Sequence, residues 1–198
     1  MFTNNLNDSE LLSPNIGLER GMVKLVPFKA EWSMYARNEI MNLVSVLKNI
    51  TGGVEHIGST SIPGMFAKPI IDIAIGLYRI GDWELCVAML YKFNYFYYGN
   101  KKRCGGHILF KDYNGKSLYF LHIVPFDSYS WRTYLYLRNY LIENEQARNR
   151  YNELKMQLQE KYPENRRMYT KGKKQFIVEL KKEAILWVKS RQTKCIAL

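Results

Sequence analysis

A chain of 198 residues, 47% hydrophobic and 24% charged, is long enough for one domain with a sizeable core and has the make-up of a folded soluble protein. Lys and Arg outnumber Asp and Glu by 29 to 18, and the net charge of +11 favours anionic partners (nucleotides, nucleic acid, acidic membranes) without choosing among them. Three widely spaced cysteines argue against a disulfide framework or zinc knuckle, no stretch approaches the ~18 apolar residues of a membrane span, and the Asn-rich start lacks the build of a signal peptide, so the expected location is cytoplasmic.

Residues 1–20 are polar and turn-rich and read as a flexible N-terminal arm. Val23, Leu25 and Phe28 flank an expected edge strand ended by Pro27. Over residues 31–48, Trp32, Tyr35, Ala36, Ile40, Leu43, Val44 and Leu47 recur at helical spacing, and Thr51-Gly52-Gly53 stops that helix. A strand follows, ending in Glu55-His56-Ile57, then a turn, Gly58-Ser59-Thr60-Ser61, then Pro63-Gly64, and then a second strand. That strand, entered through Lys68-Pro69, carries Asp72 alone among Ile70, Ile71, Ile73 and Ile75.

Asp82 reads as the N-cap of a helix over residues 83–93 with Leu85, Met89 and Leu90 inward. Tyr95 to Tyr98 reads as a strand before a basic turn at Lys101, Lys102 and Arg103. Two further strands bracket Asn114-Gly115, a strong hairpin signal. Beyond Pro125 and Asp127 the chain is helical, with one apolar stripe at Ala147, Tyr151, Leu154 and Leu158 and another at Phe176, Ile177, Leu180, Ala184 and Trp187. The expected order is helix, two strands, helix, three strands and three helices. The hairpin implies a mixed sheet in an α/β (α+β) fold, with residues 21–127 as the core and 128–198 as a helical annex packed on it.

The chemistry concentrates at the first turn. Gly58 permits close approach by a ligand, and Ser59, Thr60 and Ser61 add hydroxyls and backbone N–H groups, the materials of a phosphate cradle. An ionised Asp72 among isoleucines needs a partner or a cation. Lys68 stands just before it, where an ammonium can meet a phosphate. Ser59 lacks the second-glycine elbow of serine hydrolases, and no Walker A loop or Gly-x-Gly-x-x-Gly fingerprint is present.

The Glu55–Thr60 turn, Pro63-Gly64 and Lys68-Pro69-Ile70-Ile71-Asp72 resemble the signature of the GrpB (UPF0157) family. The likeness continues at Leu121-His122-Ile123-Val124, at Leu137-Arg138-Asn139-Tyr140-Leu141, and at Tyr169-Thr170 with Lys173, Phe176 and Ile177. The resemblance implies a nucleotidyltransferase-like fold and a site for a nucleoside triphosphate with Mg²⁺. Asp72 would be its catalytic and metal-binding acid, with Gly58, Ser59, Thr60, Lys68, Arg138 and Lys173 on the phosphates and a nucleotidyl group passed to an unidentified acceptor. The superfamily places a second acid two residues after the first; Ala74 stands there. It offers another acid on the later strand, where this chain has His122. Glu55 and His56, on opposite strand faces, complete the candidates, and a His56–Asp72–His122 set is the transition-metal alternative. A non-catalytic nucleotide- or RNA-binding module is the other reading, drawing on Ala74, the charge, and the aromatic run Phe93 to Tyr98 as a base-stacking surface.

Overall fold

The computed structural model describes residues 15–101 and 106–196. The basic turn at Lys102 and Arg103, most of the N-terminal arm, and Cys104 lie outside the described residues. The elements are β1 (Leu18–Glu19), α1 (Glu31–Leu47), β2 (Thr51–Ile57), β3 (Ile71–Leu77), α2 (Trp83–Tyr91), β4 (Phe96–Lys101), β5 (Gly106–Tyr113), β6 (Lys116–Pro125), α3 (Tyr129–Glu143), α4 (Glu145–Lys161), α5 (Arg166–Gly172) and α6 (Lys174–Ile196).

The strands form one sheet in the order β2-β3-β6-β5-β4, with the short β1 on β6. Only β3 and β6 run parallel; the other pairs are antiparallel, so the sheet is mixed, as the hairpin at Asn114-Gly115 requires. Both of those turn residues have positive φ, 46° and 77°, which matches the right-handed twist of the strands they join.

Strand alternation sorts the side chains onto two faces. Ile71, Ile73 and Ile75 of β3, with Leu121 and Ile123 of β6, point into the main core under α1 and α2 with Trp32, Leu43 and Leu90. Ile57 and Ala74 face the other way and pack with Val124 and with Trp131 of α3. On that second side Tyr140, Ala147, Tyr151, Leu180 and Ala184 join α3, α4 and α6 into a smaller core with Ile62 and Met65. Among the described residues no helix is long and apolar enough to cross a membrane.

Several expectations need correction. The helical tail has four helices rather than three: Asn144 ends one helix and caps the next, accepting from Ala147 N at 2.8 Å, and after α4 ends at Lys161, Asn165 caps α5, accepting from Met168 N at 3.0 Å. The edge strand at Val23–Phe28 is reduced to a single bridge, Val26 to Ala67, since Pro27 has no N–H to extend it. Asp82 precedes α2 without capping it and takes Arg79 Nε at 3.1 Å instead. Leu85 is exposed; Cys86, one residue on, is buried beside Leu90.

Candidate functional site

β2 ends at Ile57, directly opposite Asp72 on β3. The next residue, Gly58, turns the chain with φ 74° and ψ −171°, and a Cβ there would lie 2.8 Å from Asp72 Oδ2. Only glycine accepts that conformation cheaply and leaves room for the carboxylate. Ser59–Ser61 form a single helical turn closed by Ser61, whose Oγ donates to the Gly58 carbonyl at 2.7 Å. Ser59 is hydrogen-bonded to Tyr151 of α4, which ties the turn to the helical annex.

The parallel pairing of β3 and β6 sets Ala74 beside His122, so His122 and Asp72 share one sheet face. His122 Nε2 lies 2.9 Å from Asp72 Oδ1. The His122 side chain is 15% exposed and that of Asp72 35%, so the carboxylate remains within reach of a ligand. Ala74 is fully buried against Ile57, Val124 and Trp131, and a carboxylate in its place would enter an apolar cluster.

Glu55 and His56 divide as the strand period demands. Glu55 shares the Asp72 face and accepts from Arg138 Nη1 at 2.8 Å; Arg138 also donates to the His56 carbonyl at 2.9 Å and, through Nε, to Asn139 at 3.0 Å. His56 is opposite Ile73, on the core-facing side, and its Nε2 meets Thr60 Oγ1 at 3.0 Å. Burial lowers its pKa to about 4, outweighing the pull of Asp72, so it is neutral at pH 7. The His56–Asp72–His122 metal set is therefore not formed, because its first member faces the opposite side of the sheet.

Above Asp72 the annex closes over a cavity of about 380 Å³. Lys68, Lys155 of α4, Arg166 of α5 and Lys173 line it together with Ser59, Thr60, Asp72 and His122. Lys68 and Lys173 stand over the ring of buried Tyr169, 5.5 and 4.4 Å from its centroid. Lys155 donates to the Phe66 carbonyl and lies 4.7 Å from the Tyr151 ring centroid. Burial first, then mutual repulsion, lowers the pKa of Lys68 to about 7, Lys155 to about 6 and Lys173 to about 8, while Asp72 raises Lys68 and Lys173. At pH 7 Arg166 and Lys173 are charged, Lys68 is half charged and Lys155 is mostly neutral, so these four basic groups around one carboxylate favour an anion carrying several charges, which would draw protons back onto the lysines.

A second cavity, about 290 Å³, shares Ser59, Asp72, His122 and Ile177 with the first. Its other walls are largely apolar, from Ile57, Ile62, Leu137 and Leu141, with Arg138 and Lys181 also present. Asp72 thus stands at the boundary between a cationic and an apolar compartment.

Magnesium takes oxygen ligands and is commonly held by one or two carboxylates together with substrate phosphates and water. Asp72 meets that minimum for one ion. A second ion has no matching acid, given Ala74, and no group of three or more His, Cys, Asp or Glu able to hold a metal stands among the described residues.

Of the residues singled out in the sequence, Gly58, Ser59, Thr60, Lys68, Asp72, His122, Arg138 and Lys173 line or shape these two cavities, while Glu55 acts through Arg138. The cavity also uses Lys155 and Arg166, which were not expected at the site, and Tyr169, which the sequence marked only through the family resemblance. Lys155 carried one signal: it lies four residues after Tyr151 and eight after Ala147, on the buried stripe of α4.

The model of the GrpB protein family matches residues 22–183. The glutamate-rich protein GrpB of Alkalihalophilus pseudofirmus is 30% identical over 172 residues, 85% of this chain and 99% of that protein. The crystal structure of GrpB from Enterococcus faecalis superposes with a TM-score of 0.76 at 32% identity, covering 83% of this chain and 99% of that one. A partial likeness, TM-score 0.47 at 13% identity over 68% of this chain and 44% of that one, is to the Cid1 poly(U) polymerase with MgGTP bound.

Proposed function

The chain belongs to the GrpB family, and from that premise we propose that it binds a nucleoside triphosphate at the Gly58–Ser59 turn and transfers a nucleotidyl group to an acceptor. The observation that supports this most is the position of the Asp72 carboxylate, against Gly58 and between a cavity lined by four basic side chains and an apolar one. In this reading Lys68, Lys155, Arg166 and Lys173 hold the phosphate chain, and Ser59 and Thr60 orient it. The acceptor oxygen attacks the α-phosphorus, the bond to the β-phosphate oxygen breaks, and pyrophosphate leaves within the cationic cavity. The acceptor proton passes to the Asp72–His122 pair, joined at 2.9 Å. A Mg²⁺ ion held by Asp72 would neutralise charge on the phosphates. A second reading, nucleotide binding without transfer, draws on the sealed position of Ala74, which leaves one carboxylate where two-ion chemistry uses more.

Calorimetry of ATP and GTP binding to wild type and Asp72→Asn, each in Mg²⁺ and in EDTA, tests the assignment. In EDTA the variant is expected to bind at least as tightly as wild type, because a negative charge has left a phosphate site. In Mg²⁺ the wild type gains affinity and the variant does not. An equal gain from Mg²⁺ in both proteins removes Asp72 as the ion's ligand.

A further inference from the structure

A third cavity, about 660 Å³ and larger than either of the others, adjoins the cationic one, with which it shares Phe120, Arg166 and Thr170. It lies on the same sheet face, where Phe110 of β5 is directly opposite Phe120 of β6. Tyr98 of β4 is 69% exposed and stands nearly perpendicular to both phenylalanines, at 85° and 84°, with ring centroids 6.0 and 6.1 Å away. The Arg20 guanidinium lies 5.0 Å from the Phe110 ring centroid and that of Arg166 5.1 Å from Phe120. Arg167 completes the basic lining, and no acid stands among the described lining residues. Arg20 is paired with Asp112 at 2.6 Å, just outside.

This combination selects its ligand by chemistry. An apolar peptide would meet guanidinium groups over both phenylalanine rings, and a lone phosphate would leave an exposed tyrosine unused. A nucleobase with its phosphate uses both: the base stacks on an aromatic or guanidinium plane, and the phosphate meets the arginines. The groove has its own cations beyond those of the neighbouring phosphate cavity, so it suits a nucleotide other than the one whose phosphates lie there. Paired bases of a duplex present no free face to stack. We propose that this groove binds a single-stranded nucleic acid, with a base stacked on Tyr98 and successive phosphates at Arg20 and Arg167, the two arginines it does not share with the neighbouring cavity.

Fluorescence anisotropy of the full chain with a labelled oligouridylate of about ten nucleotides, the corresponding duplex, and labelled UTP tests it. The single strand is expected to bind in preference to the duplex. With two phosphates neutralised, the logarithm of its association constant should fall against log salt with a slope of about −1.4. Tyr98→Ala should weaken the strand about tenfold or more, whereas Tyr98→Trp, which keeps a stacking face, should retain it. A purely structural role for this exposed ring would not distinguish strand from duplex. The proposal is overturned by no strand binding at about 50 mM salt, by equal binding of strand and duplex, by indifference to Tyr98→Ala, or by loss in that variant of UTP binding alone.

Discussion

Lys111→Met is expected to destabilise the protein by about 3–5 kcal/mol, the largest effect of any single substitution considered, although Lys111 lies on the sheet face opposite the cavities. Lys111 of β5 and Glu39 of α1 meet at 3.2 Å with each side chain only 7% exposed. Tyr95 donates to the same Glu39 oxygen at 2.7 Å, and the Lys111 ammonium lies 5.1 and 5.6 Å from the ring centroids of Tyr95 and Tyr119. Burial, followed by Glu39, pushes the Tyr95 hydroxyl well above its ordinary pKa, so it stays a donor. Removing the lysine leaves a carboxylate in the core with the Tyr95 hydroxyl donating to it and no counter-charge. Replacing both charges, Glu39→Gln with Lys111→Met, should cost less than the lysine change alone, because no uncompensated ion remains. Urea unfolding measures both; a double variant less stable than the single would contradict the account.

The second large effect concerns the basic cavity proposed to hold phosphates. Lys68→Met with Lys173→Met is expected to lower ATP affinity by about a hundredfold or more, since each charge-assisted bond to phosphate contributes about 1.5–3 kcal/mol and tenfold is about 1.4. The same pair should make the ligand-free protein more stable. Their pKa values in the fold, about 7 and about 8, lie below the ordinary lysine value, so the folded state holds these protons less firmly than the unfolded one. The resulting destabilisation is complete below pH 7 and is relieved as pH rises through 7 and 8 toward 10. Thermal unfolding of the variant against wild type should therefore show its advantage at pH 6 and little at pH 10. A variant that keeps ATP affinity, or is less stable at pH 6, contradicts this placement of the charges. Stability conceded at a ligand site is common, and on the proposed function a phosphate ligand would supply the missing counter-charge.

The turn and its acid were legible because they break local pattern: a Gly-Ser-Thr run interrupts a strand, and one aspartate interrupts four isoleucines. The bond between Asp72 and His122 was not, since it depends on two parallel strands separated by 50 positions of chain. Glu39 sits between Ala36 and Leu43 on the inward face of α1, and its partner is 72 residues away, so the helix alone shows a polar residue and no reason for it. Lys155 occupies a buried position on its helix, but a lysine in a tail rich in lysines reads as solvated surface. Arg166 and Tyr169 belong to a helix of seven residues, too short for any periodicity to mark which side faces the cavity. Leu85 and Cys86 in the nine-residue α2 show the same effect as an error of one position.

On the proposed function the cavity beside Asp72 receives a chain of phosphates. Calorimetric titration of ATP into the wild-type protein, repeated with inorganic tripolyphosphate already present, measures this most directly. One molecule of ATP per chain, displaced by tripolyphosphate and weakened by salt, is the result expected. No binding at millimolar ATP, or binding that tripolyphosphate leaves untouched, would contradict it.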